Sequence, residues 1–153
     1  MADNKIIEAS FEELMPIMAE CLSSGKSFRF SPKGTSMLPM LREGTDSVLL
    51  SPVTKKLEKY DIPLYRRENG KYILHRIVET GETFTCIGDN QFVLEEGVRP
   101  EQIVAVVTGF YRGEKFHSAN EAGYKFYCRF WNLSRGLRHF WRRGIGFLRR
   151  HLK

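Results

Sequence analysis

"DIPLYRRENGKYILHRIVE", residues 61–79, decides how this chain folds. Two β-favouring runs flank Glu68-Asn69-Gly70. Asn-Gly readily takes the left-handed backbone angles of a tight turn between antiparallel strands, so the stretch predicts a β-hairpin. Pro63 lacks an N–H and points to a strand start, a bulge or an edge rather than a central strand interior. The second arm carries His75 between Leu74 and Arg76. A regular strand there would hold the imidazole rigidly, with apolar neighbours partly desolvating it. Arg66 and Arg76 read as solvated edge charges.

Outward from the hairpin, the same pattern repeats. "SFRF" (27–30) and "SVLL" (47–50) precede it. "TFTCIG" follows a Thr80-Gly81 turn, and "QIVAVVTGFYR" (102–112) is a long apolar strand turning at Arg112-Gly113 into "EKFH". Short strands separated by turn signals predict a mainly β domain built of hairpins. Before them, Ser10-Phe11-Glu12-Glu13 has the S-x-x-E form of a capping box. Phe11, Leu14, Met15, Met18 and Leu22 then recur at helical spacing, so a covering helix is expected over about residues 10–24. Residues 1–120 form the body on this reading.

Residues 121–153 differ in kind. They hold nine Lys/Arg and one acid, Glu121, for a charge of +8; residues 1–120 hold fifteen Lys/Arg and seventeen acids, for −2. Phe126, Phe130, Leu133, Leu137, Phe140 and Trp141 recur at helical period, continuing to Ile145 and Leu148. The segment predicts a basic amphipathic helix, weakened by about 1 kcal/mol at each of Gly136, Gly144 and Gly146. Arg129, Trp131, Arg135, Arg138 and Trp141 are its first candidate contacts to membrane or phosphate. Arg142, Arg143, Arg149 and Arg150 extend them. Trp131 and Trp141 favour the interface of an anionic membrane, and nucleic acid is the alternative partner.

Three well-separated cysteines without a C-x-x-C pair fit a reducing compartment, and neither a metal nor a cofactor site is expected. The N-terminus does not read as an export signal. No apolar run approaches 18 residues, so no membrane-spanning helix is expected. Cytoplasmic location follows, with peripheral attachment to the cytoplasmic membrane face through the tail.

The chemistry centres on "PKGTSMLPML", residues 32–41. Ser36 needs a base to become a nucleophile. His75 has the right chemistry, because an unperturbed imidazole titrates near about 6.5. Asp89, in "IGDNQ" (87–91), is placed to orient or charge-balance the imidazole, as an acid does in other serine–base systems. Gly34, Thr35, Met37 and Pro39 frame the serine as oxyanion and groove residues.

In this order and spacing the stretches resemble the S24/S26 serine peptidase clan, which joins signal peptidase I-type enzymes to self-cleaving repressors. "GTSMLPML" is similar to the nucleophile box, "REGTDSVLLSP" to the strand that follows it, residues 60–79 to the base segment and "CIGDNQ" to the closing Gly-Asp-Asn box. The match covers roughly residues 27–112. His75-Arg76-Ile77 resembles the branch that uses histidine rather than lysine. The resemblance implies a signal-peptidase/repressor-peptidase-like β domain. It also implies Ser36 as nucleophile, His75 as general base, Asp89 as supporting acid and the Ser36 N–H as oxyanion donor. The implied activity is cleavage of a leader or precursor peptide through an acyl-enzyme. Tyr60 stands where the clan has glycine, and Thr35 precedes the nucleophile. The other expectations are a catalytically degenerate peptidase fold that binds peptides and membrane, and a nucleic-acid binder led by the tail.

Overall fold

The Asn69-Gly70 turn joins β3 (Pro63–Arg66) to β4 (Tyr72–Leu74), with Leu64 opposite Leu74 and Arg66 opposite Tyr72. Gly70 takes φ +84°, and Asn69 Oδ1 accepts from the Lys71 N–H at 3.1 Å. Only Gly70 of the pair takes the left-handed angle; Asn69 holds the turn through its side chain instead. The computed structural model describes residues 11–151, with side chains of the last helix described as far as Ile145. Ser10, half of the expected capping box, lies outside the described residues.

The expected strand through 71–79 is two strands. β4 ends at Leu74, and β5 (Arg76–Glu79) belongs to a different sheet, paired with β6 (Phe84–Ile87). His75 is therefore not inside a regular strand but at the crossing between sheets. An apolar run reads the same whether one sheet or two bury it, so its pattern did not mark the crossing.

The larger sheet also contains β1 (Phe28–Phe30), β2 (Asp46–Ser51), β8 (Ile103–Arg112) and β9 (Lys115–Ser118). Its order is β1-β2-β8-β3-β4. The first half of β8 pairs with β3 and its second half with β9, while β2 runs along its other side. Pro63 is accommodated at the start of β3. The smaller sheet is β5-β6-β7, where β7 (Glu95–Val98) is a strand the sequence reading missed. Its "EEGV" has neither apolar alternation nor β-branched residues before Val98.

β1 and β4 end the main path of the larger sheet, and β9, paired only with β8, is a further edge. Helix α1 (Phe11–Ser23) bridges β1 and β4: Phe11 packs against Phe30 at 5.6 Å between ring centroids and against Tyr72 at 5.1 Å. The sheet is thus curled, with these two edges facing one another under α1. Met18 and Leu22 of α1 enter the main core beside Met40, Leu41, Val48 and Phe110. A second core, containing Leu57, Tyr65, Ile77, Phe84 and Cys86, lies by the smaller sheet.

The basic segment is two helices, α2 (Ala122–Leu133) and α3 (Arg135–His151), interrupted at Ser134. α2 is no appendage, because Cys128 is buried and Tyr124 and Tyr127 pack against the main core. Among the described residues, no helix is long and apolar enough to cross a membrane.

Candidate functional site

Ser36 and His75 line one cleft of about 300 Å³. Ser36 comes from the loop between β1 and β2, and His75 from the crossing after β4. Phe11 and Leu14 of α1 form another wall. The cleft therefore lies where the two sheet edges approach each other, and its lining exposes more hydrocarbon than polar surface.

The Ser36 loop is held from below by the Gly-Asp-Asn box. The Asn90 N–H donates to the Ser36 carbonyl at 2.8 Å, and Asn90 Nδ2 donates to the Thr35 carbonyl at 3.1 Å. Gly88 is required by contact: a Cβ there would lie 2.5 Å from the Ser36 carbonyl oxygen. Gly34 takes φ +94° and its N–H donates to Glu43 Oε2 at 3.0 Å. The backbone N–H groups of Ser36 and Met37 have no acceptor among the described residues, which leaves both available to a developing oxyanion. Ser36 Oγ likewise makes no hydrogen bond among the described residues. Met37 and Gly34 line the cleft. Pro39 does not; with Leu38 it lines a separate groove against α3.

His75 is buried, and burial lowers its pKa to about 4. It is a neutral imidazole at ordinary pH. Its Nδ1 faces the Tyr65 hydroxyl at 3.5 Å and Glu95 Oε2 at 3.8 Å. Tyr65 donates its proton to Glu95 at 2.6 Å, so the phenol oxygen faces Nδ1 as an acceptor. That arrangement favours a proton on Nδ1 and an unprotonated Nε2. Glu95 is itself fixed by Arg67, whose Nε and Nη2 donate at 2.6 and 2.7 Å. The Arg67 hydrogen bonds hold the Glu95 carboxyl below its usual range, against the opposing effect of burial.

Asp89 does not hold the imidazole. Arg76 Nε and Nη2 each donate to its carboxylate at 2.7 Å, and the Tyr127 hydroxyl donates at 2.9 Å. Nor is Arg76 a solvated edge charge: Arg76 and Asp89 are both fully buried. Arg76 also reaches the Tyr60 carbonyl, the Tyr124 hydroxyl, and the sulfurs of Cys128 and Met40. The physical reason is position. β5 turns Arg76 inward between the sheets and α2, where only a bidentate carboxylate offsets the loss of water. Arg66, by contrast, is exposed.

Three of the expected membrane or phosphate contacts, Trp131, Arg138 and Arg142, are turned to the body instead. Trp131 Nε1 donates to the Asp89 carbonyl at 2.8 Å, and Arg138 stacks on the Trp131 ring at 3.6 Å. Arg142 Nη2 donates to Asn90 Oδ1 at 2.9 Å, whereas Arg135 bonds within the helical segment, to Asn132 Oδ1 at 2.5 Å. Arg129, Trp141 and Arg143 remain exposed. The side chains of Arg149 and Arg150 lie outside the described ones.

The residues missed by sequence reasoning are Glu95, Tyr65 and Arg67 behind the imidazole, and Arg76 as the partner of Asp89. Only Arg76 had a usable signal, as a charge embedded in an apolar run. Compared with protein-family models, with curated proteins and with solved structures, the chain gives no match.

Proposed function

We propose that this protein is a serine endopeptidase of signal-peptidase-like type. Ser36 is its nucleophile and His75 its general base. The observation that carries the reading is the single cleft shared by Ser36 and His75 between two unpaired strand edges. A peptide entering in extended form meets backbone donors and acceptors on β1 and β4, and closes the curled sheet as an added strand. Its scissile carbonyl then lies beside Ser36.

The proposed reaction requires Ser36 Oγ within hydrogen-bond reach, about 2.6–3.2 Å, of His75 Nε2. Oγ attacks the carbonyl carbon as Nε2 takes its proton. The oxyanion is received by the N–H groups of Ser36 and Met37. The imidazolium returns its proton to the departing amine, leaving an ester on Ser36. Water, deprotonated by the same nitrogen, hydrolyses that ester. Glu95, 3.8 Å from Nδ1, stabilises the imidazolium while it exists, which is the part first assigned to Asp89. The substrate class is a leader or small precursor peptide, and a cytoplasmic location is part of the proposal.

The test is incubation of the full chain, and of Ser36→Ala, with a mixed library of unstructured peptides read by mass spectrometry. Cleavage by the unmodified chain alone is the expected result. Cleavage undiminished in Ser36→Ala overturns the proposal. The absence of a hydrogen bond on Ser36 Oγ favours one second reading, a degenerate fold that captures peptides by edge pairing. Peptide binding without cleavage by either protein would select it.

A further inference from the structure

Helices α2 and α3 turn one side to the body through Tyr124, Tyr127, Cys128, Trp131, Arg138 and Arg142. The opposite side carries Phe126, Phe130, Leu133, Leu137, Phe140 and Trp141, each between 59% and 83% exposed. Single exposed apolar side chains are ordinary, but a continuous stripe of large ones on a surface helix marks a docking face. Leu137 and Trp141 also border the groove over Leu38 and Pro39; no described residue covers the rest of the stripe.

The charge around it restricts the occupant. Residues 122–153 contain no Asp or Glu. The side chains of Lys125, Arg129 and Arg143 make no hydrogen bond or ion pair with the described residues, whereas Arg138 and Arg142 are committed to the body. A partner must therefore be apolar in its interior and anionic at its surface. A second copy of these helices supplies the apolar half but brings the same cations face to face. Nucleic acid supplies the anion, but gives Leu133 and Leu137 nothing to pack against. An anionic bilayer interface supplies both: acyl chains for the stripe, and lipid phosphates for cations whose hydrocarbon stems lie along it.

We infer that the α2–α3 face is a peripheral docking surface for anionic lipid, with the helices lying in the interface plane rather than spanning it. The same helices contact Asp89 and Asn90, and Asn90 holds the Ser36 loop. Docking thus sets the cleft beside the membrane, independently of whether Ser36 cleaves anything.

The experiment is co-flotation of the full chain with vesicles of equimolar phosphatidylcholine and phosphatidylglycerol, against vesicles of phosphatidylcholine alone. The chain should float with the first and remain behind with the second. Leu137→Ser/Phe140→Ser, at two exposed positions, should weaken flotation at least about tenfold with an unchanged melting temperature. Arg129→Gln/Arg143→Gln should weaken it less and flatten its salt dependence. Ser36→Ala should float like the unmodified chain, which separates this proposal from the peptidase reading. Failure to float with anionic vesicles overturns the proposal, as does flotation indifferent to Leu137→Ser/Phe140→Ser. Without flotation, a concentration-dependent dimer lost in that variant assigns the face to a second copy. Retention of duplex DNA that ignores the apolar pair assigns it to nucleic acid.

Discussion

His75 and Arg76 are neighbours in the chain and opposites in their surroundings. Both are buried. Around Arg76 the contacts are short and saturated: two donors at 2.7 Å to one carboxylate, with a tyrosine hydroxyl completing Asp89. Around His75 they are long, at 3.5 and 3.8 Å on one nitrogen, and the other nitrogen has no partner among the described residues. Ser36 across the cleft is equally uncommitted. A structural polar centre finishes its hydrogen bonds in the folded state, because each unfinished one costs stability. A reactive centre must keep some unfinished, so that the reacting substrate completes them. On the proposed peptidase reading, the difference gives the two adjacent residues opposite work.

The contrast breaks most sharply at Ser36. Ser36→Ala should reduce peptide cleavage at least about a thousandfold while leaving the unfolding midpoint unchanged. A large loss of stability would instead make Ser36 part of the scaffold. The reverse pattern belongs to the other centre. Arg76→Met should destabilise the fold by about 3–5 kcal/mol in urea titrations, because it leaves Asp89 buried without its cation. Replacing both members, Arg76→Met with Asp89→Leu, should recover part of that loss. A single substitution with no cost would remove the ion pair from the structural account.

The pH dependence separates the centres further. The folded pKa of His75, about 4, lies below its unfolded value of about 6.5. The fold therefore favours the neutral ring. Its contribution is intact above about pH 6.5 and is lost as pH falls toward about 4. The acid limb of kcat/KM should accordingly fall near pH 4 rather than near 6.5, measured on any peptide the protein cleaves. Glu95→Gln should lower kcat about tenfold by removing the charge opposite the imidazolium. It should also move that acid limb further down, since Glu95 raises the His75 pKa. A limb that stays in place would reduce Glu95 to packing.

The smallest expected effect lies at the rim of the ion pair. Tyr60 has φ +81°, a left-handed conformation that costs a non-glycine residue about 1 kcal/mol. Its carbonyl accepts from Arg76 and its N–H donates to the Ile77 carbonyl at 2.8 Å. Tyr60→Gly should keep both bonds and raise stability by about 1 kcal/mol in the same urea titration. The position has the backbone angle of a glycine, the residue the resemblance placed there.

What was legible and what was not divides along the range of the interactions. The Asn69-Gly70 hairpin, the α1 stripe and the long β8 strand depend on a residue's own preferences and on neighbours a few positions away. The sequence displays those directly, and it determined a mainly β body with helices at both ends. It also marked Ser36 and His75 as candidates through their chemistry and company. Only tertiary structure decided that the chain changes sheets at His75, that Asp89 belongs to Arg76, and that Glu95 stands behind the imidazole. Those pairings join residues from separate segments of the chain, 13 positions apart for Arg76 and Asp89. Asp89 and Glu95 look equally suitable as bare carboxylates in a chain. Which of them meets the guanidinium and which faces the ring is set by where β5, β6 and β7 put them after packing.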